Sequence, residues 1–477
     1  MRGPDRYDLP TSVTRLRTAG PGALLAIAGV FTLVIWLSSD STMHLVRRDP
    51  GMDERPDVAT AADLPRPVGV LTPGDGTPGT ARGSWPGFRG ASGDGICHES
   101  GPLADAWPGN GPRRLWSIDV GEGYAGAAIH GGRVYLLDYD QTAAADTLRC
   151  LSFDDGREIW RFAYPVKVKR NHGMSRTVPA VTDRYVVGLG PKCHVTCLDA
   201  VTGEQKWMLD LVRDHGTTVP QWYAGQCPLI DGSRAILAPG GPDALLLAVE
   251  LETGAIAWKT PNPMAWSMTH ASIVRAVLGG VPTYVYCANR GVVGVSAETG
   301  EILWQTDAWK IAIATVPTPV PVGDDRIFFS GGYNAGSVMM HIDRTDAGRF
   351  EPRVQYRLGS ESFGATQQTP ILYKGHIYGI RPDGQLVCLR LDGSVKWTSG
   401  SRFTFGLGPF LIADDRLYAL DDDGHLSLVR AVPERFERLA HARVLEGTQA
   451  WGPLAMASGR LIARDLRHVV CLEVAAP

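Results

Sequence analysis

The residues best equipped for chemistry or binding fall in a few short stretches. Lys167-Val-Lys169-Arg170-Asn-His172-Gly-Met-Ser-Arg176 is a basic loop suited to gripping an anion or an acidic partner. His215, Trp222, Tyr223 and Gln226 form a second group, and Met264, Trp266, Met268 and His270 a third. Phe405 and Trp451 stand near equivalent points further on. Aromatic, Met and His side chains at one mouth suit a peptide or another partner. The plainer reading of the same residues is a solvated basic surface and the local packing of long loops.

Eight cysteines invite two other chemistries, disulfides and metal ligation. Spacing argues against both. Cys193 and Cys197 lie about 13 Å apart on an extended strand, too far to bridge. Cys97-His98 lacks the C-x-x-C-H pattern of haem attachment. Cys150, Cys197 and Cys388 instead open copies of one recurring unit, and Cys471 holds the same place in VCLEV. A cysteine there acts as a small hydrophobe.

The unit is clearest from Cys197 to Trp207, CLDAVTGEQKW. AVELETGAIAW (248–258), GVSAETGEILW (294–304), CLSFDDGREIW (150–160) and the shortened CLRLDGSVKW (388–397) rewrite it. Repetition at roughly 40–50 residues marks a propeller or solenoid. Each unit reads as four strands with period-2 alternation between Gly-bearing turns. Second strands fall at 133–138, 184–189, 234–237, 283–287, 326–329, 376–380, 416–420 and 460–463, which gives eight units. Outer strands carry Trp160, Trp207, Trp258, Trp304, Tyr356, Trp397 and a position near Leu439, one short of eight. The orphan strand around Trp116 supplies the missing one, closing a ring without a long free sheet edge. The expected fold is an all-β, eight-bladed propeller of four-stranded antiparallel blades over 85–477. Trp116, Trp160, Trp207, Trp258, Trp304 and Trp397 are expected to dock one blade on the next, each burying roughly 150–250 Å².

The motif A-x-D-x-x-T-G-x-x-x-W resembles the repeat of the pyrroloquinoline-quinone (PQQ) propeller superfamily. That group holds quinoprotein alcohol dehydrogenases and BamB-like subunits of the outer-membrane assembly machine. The opening WPGFRGASGDG at Trp85 looks like the start of membrane-anchored or secreted members from planctomycete-type bacteria. For a dehydrogenase the resemblance implies PQQ over Ca²⁺ held by Glu, Asn and Asp, an Asp base, a Trp floor and two adjacent Cys. This chain has no adjacent Cys pair, and none of its Asn residues can be assigned the calcium role. Its departures from the repeat, at 166–176 and 212–225, are about a dozen residues each, too short to wall off a cofactor from water.

Net charge is −3, so no basic field draws the chain to nucleic acid. Residues 18–39 carry no charge, and 23–37 (ALLAIAGVFTLVIWL) are almost wholly apolar, long enough with flanks to span a bilayer. Arg2, Arg6, Arg15 and Arg17 precede them, which leaves residues 1–17 cytoplasmic and the rest outside. Residues 40–84, rich in Pro and Gly, read as a disordered tether. The function expected is a single-pass inner-membrane protein whose periplasmic propeller, a monomer, binds protein or envelope partners without catalysis or metal. Its channel mouth would be formed by His172, Arg176, Trp222, Tyr223, Gln226, Met268, His270, Phe405 and Trp451. A PQQ- and Ca²⁺-dependent dehydrogenase is the alternative.

Overall fold

The computed structural model describes residues 16–38, 66–99, 101–311 and 313–476. Expectations for residues 1–15 and 39–65 lie outside the described residues. The chain from residue 70 onward forms eight antiparallel sheets. Blade 1 has the strands Ala127–His130, Arg133–Asp140, Ala145–Ser152 and Glu158–Pro165. Blades 2 to 7 follow at 180–210, 229–260, 274–306, 320–358, 371–398 and 410–443. Blade 8 takes Ala455–Ala457, Arg460–Arg464 and His468–Glu473 from the end of the chain, and Arg113–Asp119 completes it as the outer strand. The propeller and its mode of closure agree with the sequence pattern.

Pairing explains the repeat. Cys150, Cys197, Ala248, Gly294 and Cys388 stand directly opposite Trp160, Trp207, Trp258, Trp304 and Trp397, and Cys471 opposite Trp116. The slot is small because the indole of the same blade lies over it. A Cβ at Gly294 would come within 2.1 Å of the Trp304 ring. The indoles of Trp116, Trp160, Trp207 and Trp258 then cover the Gly turn of the next blade. A Cβ at Gly203, which has φ +79°, would meet Trp160 at 2.7 Å. The left-handed conformation and the ring above it both call for Gly. Indole Nε1 groups finish the dock by donating across the gap: Trp116 to the Phe153 carbonyl (3.1 Å), Trp160 to Val201 (3.1 Å), Trp207 to Leu251 (2.8 Å) and Trp397 to Val432 (2.9 Å). Trp258 and Trp304 have no such partner among the described residues. All eight cysteines are free and buried.

Strand direction alternates within a blade, so every link from a fourth strand to the next first strand lies on one face, called here the loop face. First strands of neighbouring blades approach each other, as in blades 8 and 1, 1 and 2, and 5 and 6, and so ring the centre.

Composition predicts a flexible tether to Ser84, but the described chain is ordered from Arg66. Val70–Pro73 pairs antiparallel with Glu158–Pro165 and makes blade 1 five-stranded. Arg66 begins this strap at the loop face, bonded to Asp214 (2.6 Å) in the short helix Leu211–His215. Gly74 and Gly76 donate to the Ile159 and Glu158 carbonyls (both 2.8 Å), Asp75 pairs with Arg157, and Gly79 donates to Gly132 (2.7 Å). The composition argument treats the segment alone, whereas the free edge of blade 1 supplies its backbone partners. The Gly content here gives close approach. A Cβ at Gly74 would lie 1.9 Å from the Glu158 carbonyl oxygen.

Separately, Leu16–Ser38 forms a 23-residue helix in which Leu25, Phe31 and Trp36 are exposed. Among the described residues no helix is long and apolar enough to cross a membrane.

Candidate functional site

The centre of the ring is filled by the chain itself. From the strap, Trp85 exchanges two backbone hydrogen bonds with Ile129 on the first strand of blade 1 (both 2.8 Å), and Val181 of blade 2 donates to Pro86 (2.8 Å). Ile96–Cys97 then pairs in parallel with the first strand of blade 7, Phe410–Ala413. Cys97 Sγ donates to the Met456 carbonyl of blade 8 (3.4 Å). Between these ends Arg89 crosses to blade 6. Its Nε donates to Gly93 (3.0 Å), Nη1 to Thr369 (3.0 Å), and Nη2 to Asp94 (2.8 Å) and Pro370 (3.0 Å), all carbonyl oxygens. Residues 85–97 are thus a plug that touches the first strands of five blades or the segments leading into them.

Above the plug, towards the loop face, remains a cavity of about 80 Å³. Trp85, Phe88 and Arg89 of the plug line it together with Gln367, Leu407, Phe410 and Trp451, among others. Burial pushes the Arg89 guanidinium down to about 10 against the opposing pull of Asp94, so it stays charged at neutral pH.

Six of the nine expected mouth residues are accounted for as follows. Trp451 lines the cavity, donates Nε1 to Asp422 (2.7 Å) and stacks on Tyr124 with ring centres 5.1 Å apart. Arg176 lies over the other part of this cluster, 5.2 Å from the Tyr124 ring centre, and its Nε has no partner among the described residues. His270 sits 6.2 Å from Trp222, ring to ring, and its Nε2 is likewise unpartnered. Burial first, and the Arg176 charge second, push His270 down to about 4, so it is neutral at physiological pH. Tyr223 donates to the Lys169 carbonyl (2.6 Å), and His172 is exposed with φ +57°. The remaining three do not present a binding surface. Gln226 is fully buried and bonded in both directions to the Ala238 backbone (2.9 and 3.4 Å). Met268 packs against Cys193, and Phe405 is 3% exposed in the core between blades 6 and 7. Each is an apolar or amide side chain at a blade entrance, where spacing alone cannot separate lining from packing.

Arg89, Phe88 and Gln367 are cavity residues that the pattern did not single out. The only sequence signal was an arginine inside a Gly-dense stretch outside any repeat. A second, more polar cavity of about 250 Å³ lies at blade 7, lined by Arg402, Phe403, Asp421, His425, Arg438 and His441, among others. Its two imidazoles stack 5.1 Å apart, and His441 is lowered by burial and by Arg438 and His425.

With blades, closure and channel in place, the chain is a PQQ-like β-propeller. It belongs to the family described as outer membrane protein assembly factor BamB, whose model matches residues 144–399. No curated protein matches it. Among solved structures it is similar to BamB from Moraxella catarrhalis, with 14% identity and a TM-score of 0.52, covering 76% of this chain and 99% of that one. It is also similar to the quinohemoprotein alcohol dehydrogenase from Comamonas testosteroni, with 12% identity and a TM-score of 0.57, covering 83% and 81%. A europium-containing methanol dehydrogenase matches at 11% identity and a TM-score of 0.55, covering 82% and 89%. At these identities the likeness is one of fold, shared by binding and catalytic proteins alike.

Proposed function

We propose that the chain is a non-catalytic propeller that binds protein or envelope partners at its loop face. The observation that carries this reading is the plug. Cofactor-sized pockets run to about 300–1,000 Å³, whereas the centre here retains about 80 Å³. The sequence also lacks one feature of a PQQ site, since no two of its cysteines are adjacent. On the loop face the half-buried side chains of Arg176, Trp222 and His270 cluster with Tyr124 behind them, the mixture of aromatic and polar groups that a protein interface uses.

The apolar run at 23–37 is retained, on the sequence argument, as attachment to the inner membrane with the propeller on the periplasmic side. The described strap starts at the loop face, beside the proposed binding surface.

Titration of the full-length chain with PQQ and Ca²⁺, with a dye-linked alcohol assay alongside, is expected to give no thermal shift and no turnover. Turnover that depends on PQQ would overturn the reading and restore the dehydrogenase. Alkaline extraction of membranes tests the attachment, and release of the chain into the soluble fraction would remove it.

A further inference from the structure

The small cavity over the plug has a chemistry of its own. Its walls are mostly apolar, with Phe88, Leu407, Phe410, Trp451, Pro453 and Leu454 among its lining residues. Its charged member is Arg89. A guanidinium has five N–H donors, and four are taken by the carbonyls of Gly93, Asp94, Thr369 and Pro370. Among the described residues one Nη1 hydrogen has no partner and no carboxylate lies within 4.0 Å of the head group. Asp94, the acid that acts on it from a distance, spends its carboxylate on the Ile96 N–H (2.9 Å) and on His98 (2.8 Å). Asp422, beyond Trp451, accepts the Leu407 N–H (2.8 Å) and the indole N–H (2.7 Å), both on Oδ1. An unpaired, largely desolvated cation is costly unless a counter-charge joins it. Neutral carbonyls offset only part of that cost.

We propose that this cavity takes a carboxylate carried on an apolar body, with Arg89 holding the carboxylate and Trp451, Phe88 and Phe410 the body. Gln367, which also lines the cavity, adds an amide for orientation. At about 80 Å³ the cavity is smaller than the roughly 150 Å³ void that takes a benzene ring, so it admits a carboxylate on a small aliphatic body and excludes an aromatic ring. Such a group comes either from the C-terminus of a polypeptide or from a small free acid. The first source rests on the partner-binding reading above; the second does not.

The test uses the full-length chain and three probes: a labelled heptapeptide ending in Ala with a free carboxylate, the same peptide amidated, and propionate. The free acid is expected to bind at least tenfold more tightly than the amide. Propionate that competes only weakly assigns the site to chain termini; propionate that binds as tightly as the peptide assigns it to small acids. Arg89→Gln removes hydrogen bonds that hold the plug as well as the charge, so Gln367→Glu carries the argument. It places a negative charge in the cavity, and binding is expected to fall at least tenfold with the melting temperature unchanged. Equal binding of acid and amide, no binding of either acid, or full binding by Gln367→Glu overturns the proposal. Site-directed crosslinking from Trp222 keeps the two readings apart. A partner still captured there by Gln367→Glu leaves the protein-binding function standing and rules out the chain terminus as the source of the carboxylate.

Discussion

Three strands from the N-terminal region join the ring, and the two that pair with its outer strands or take an outer place do different work. Arg113–Asp119 fills the outer place in blade 8, and its Trp116 docks on blade 1 as the repeat tryptophans dock on their neighbours. Val70–Pro73 adds a fifth strand to a blade 1 that is already complete, and all four of its residues are exposed. The first strand replaces a missing part of the core. The second covers an edge and guides the chain into the channel. Backbone pairing is common to both, so the difference lies in buried apolar surface, which dominates stability.

That comparison can be broken most directly at Trp116. Trp116→Ala removes the dock that closes the ring, and a loss of about 3–5 kcal/mol is expected in urea unfolding. A loss under about 1 kcal/mol would mean that blades 8 and 1 are held by something other than this dock.

Next in size is a pH effect in the blade that carries the strap. Asp146 is 1% exposed, accepts a hydrogen bond from Tyr164, and leaves Oδ1 unpartnered among the described residues. Burial, its largest influence, raises its carboxyl to about 7. The unfolded chain has its usual value near 3.9, so ionisation is disfavoured only in the fold. The destabilisation is full above pH 7 and disappears as pH falls towards 4. Asp146→Asn cannot ionise. Its melting temperature is expected to exceed the parent's by several degrees at pH 8, with the gap narrowing through pH 5 and closing near pH 4. A gap independent of pH would show that the carboxyl does not titrate in this range.

A finer contrast separates docks that look alike in sequence. Trp207 donates its indole N–H across the blade gap and Trp258 does not. Phenylalanine retains most of the ring contact, so Trp207→Phe is expected to cost about 1 kcal/mol more than Trp258→Phe, the worth of one hydrogen bond. Equal costs would leave ring burial as the whole of the dock.

The smallest global effect belongs to the strap. Gly74→Ala clashes with the Glu158 carbonyl, and local detachment is expected. Proteolysis within 66–84 should accelerate, while the main unfolding midpoint moves by less than about 0.5 kcal/mol. A large loss of global stability would put the strap on the same footing as Arg113–Asp119.

The repeat was legible because each copy solves the same local problem. A small slot, a Gly turn and a Trp at fixed spacing pair in register within one hairpin, so Cys197, Gly203 and Trp207 announce their roles in one stretch of sequence. Trp116 was legible too, since a strand of the right kind without a blade had one place to go. The plug and strap were not. Their strands gain partners only from residues far along the chain, Ile129, Ile159 and Ile412, and a Gly-rich segment read by itself looks like a tether. The mouth was half legible: Trp451, Arg176, Trp222 and His270 line or cluster, while Gln226, Met268 and Phe405 turn into the core.

By itself, then, the sequence determined the number of blades, how the ring closes and why the cysteines stay apart, because short-range pairing and side-chain size decide those. Only the tertiary structure decided what occupies the centre. There, the position of Arg89 among four carbonyls depends on blades brought together from opposite ends of the chain.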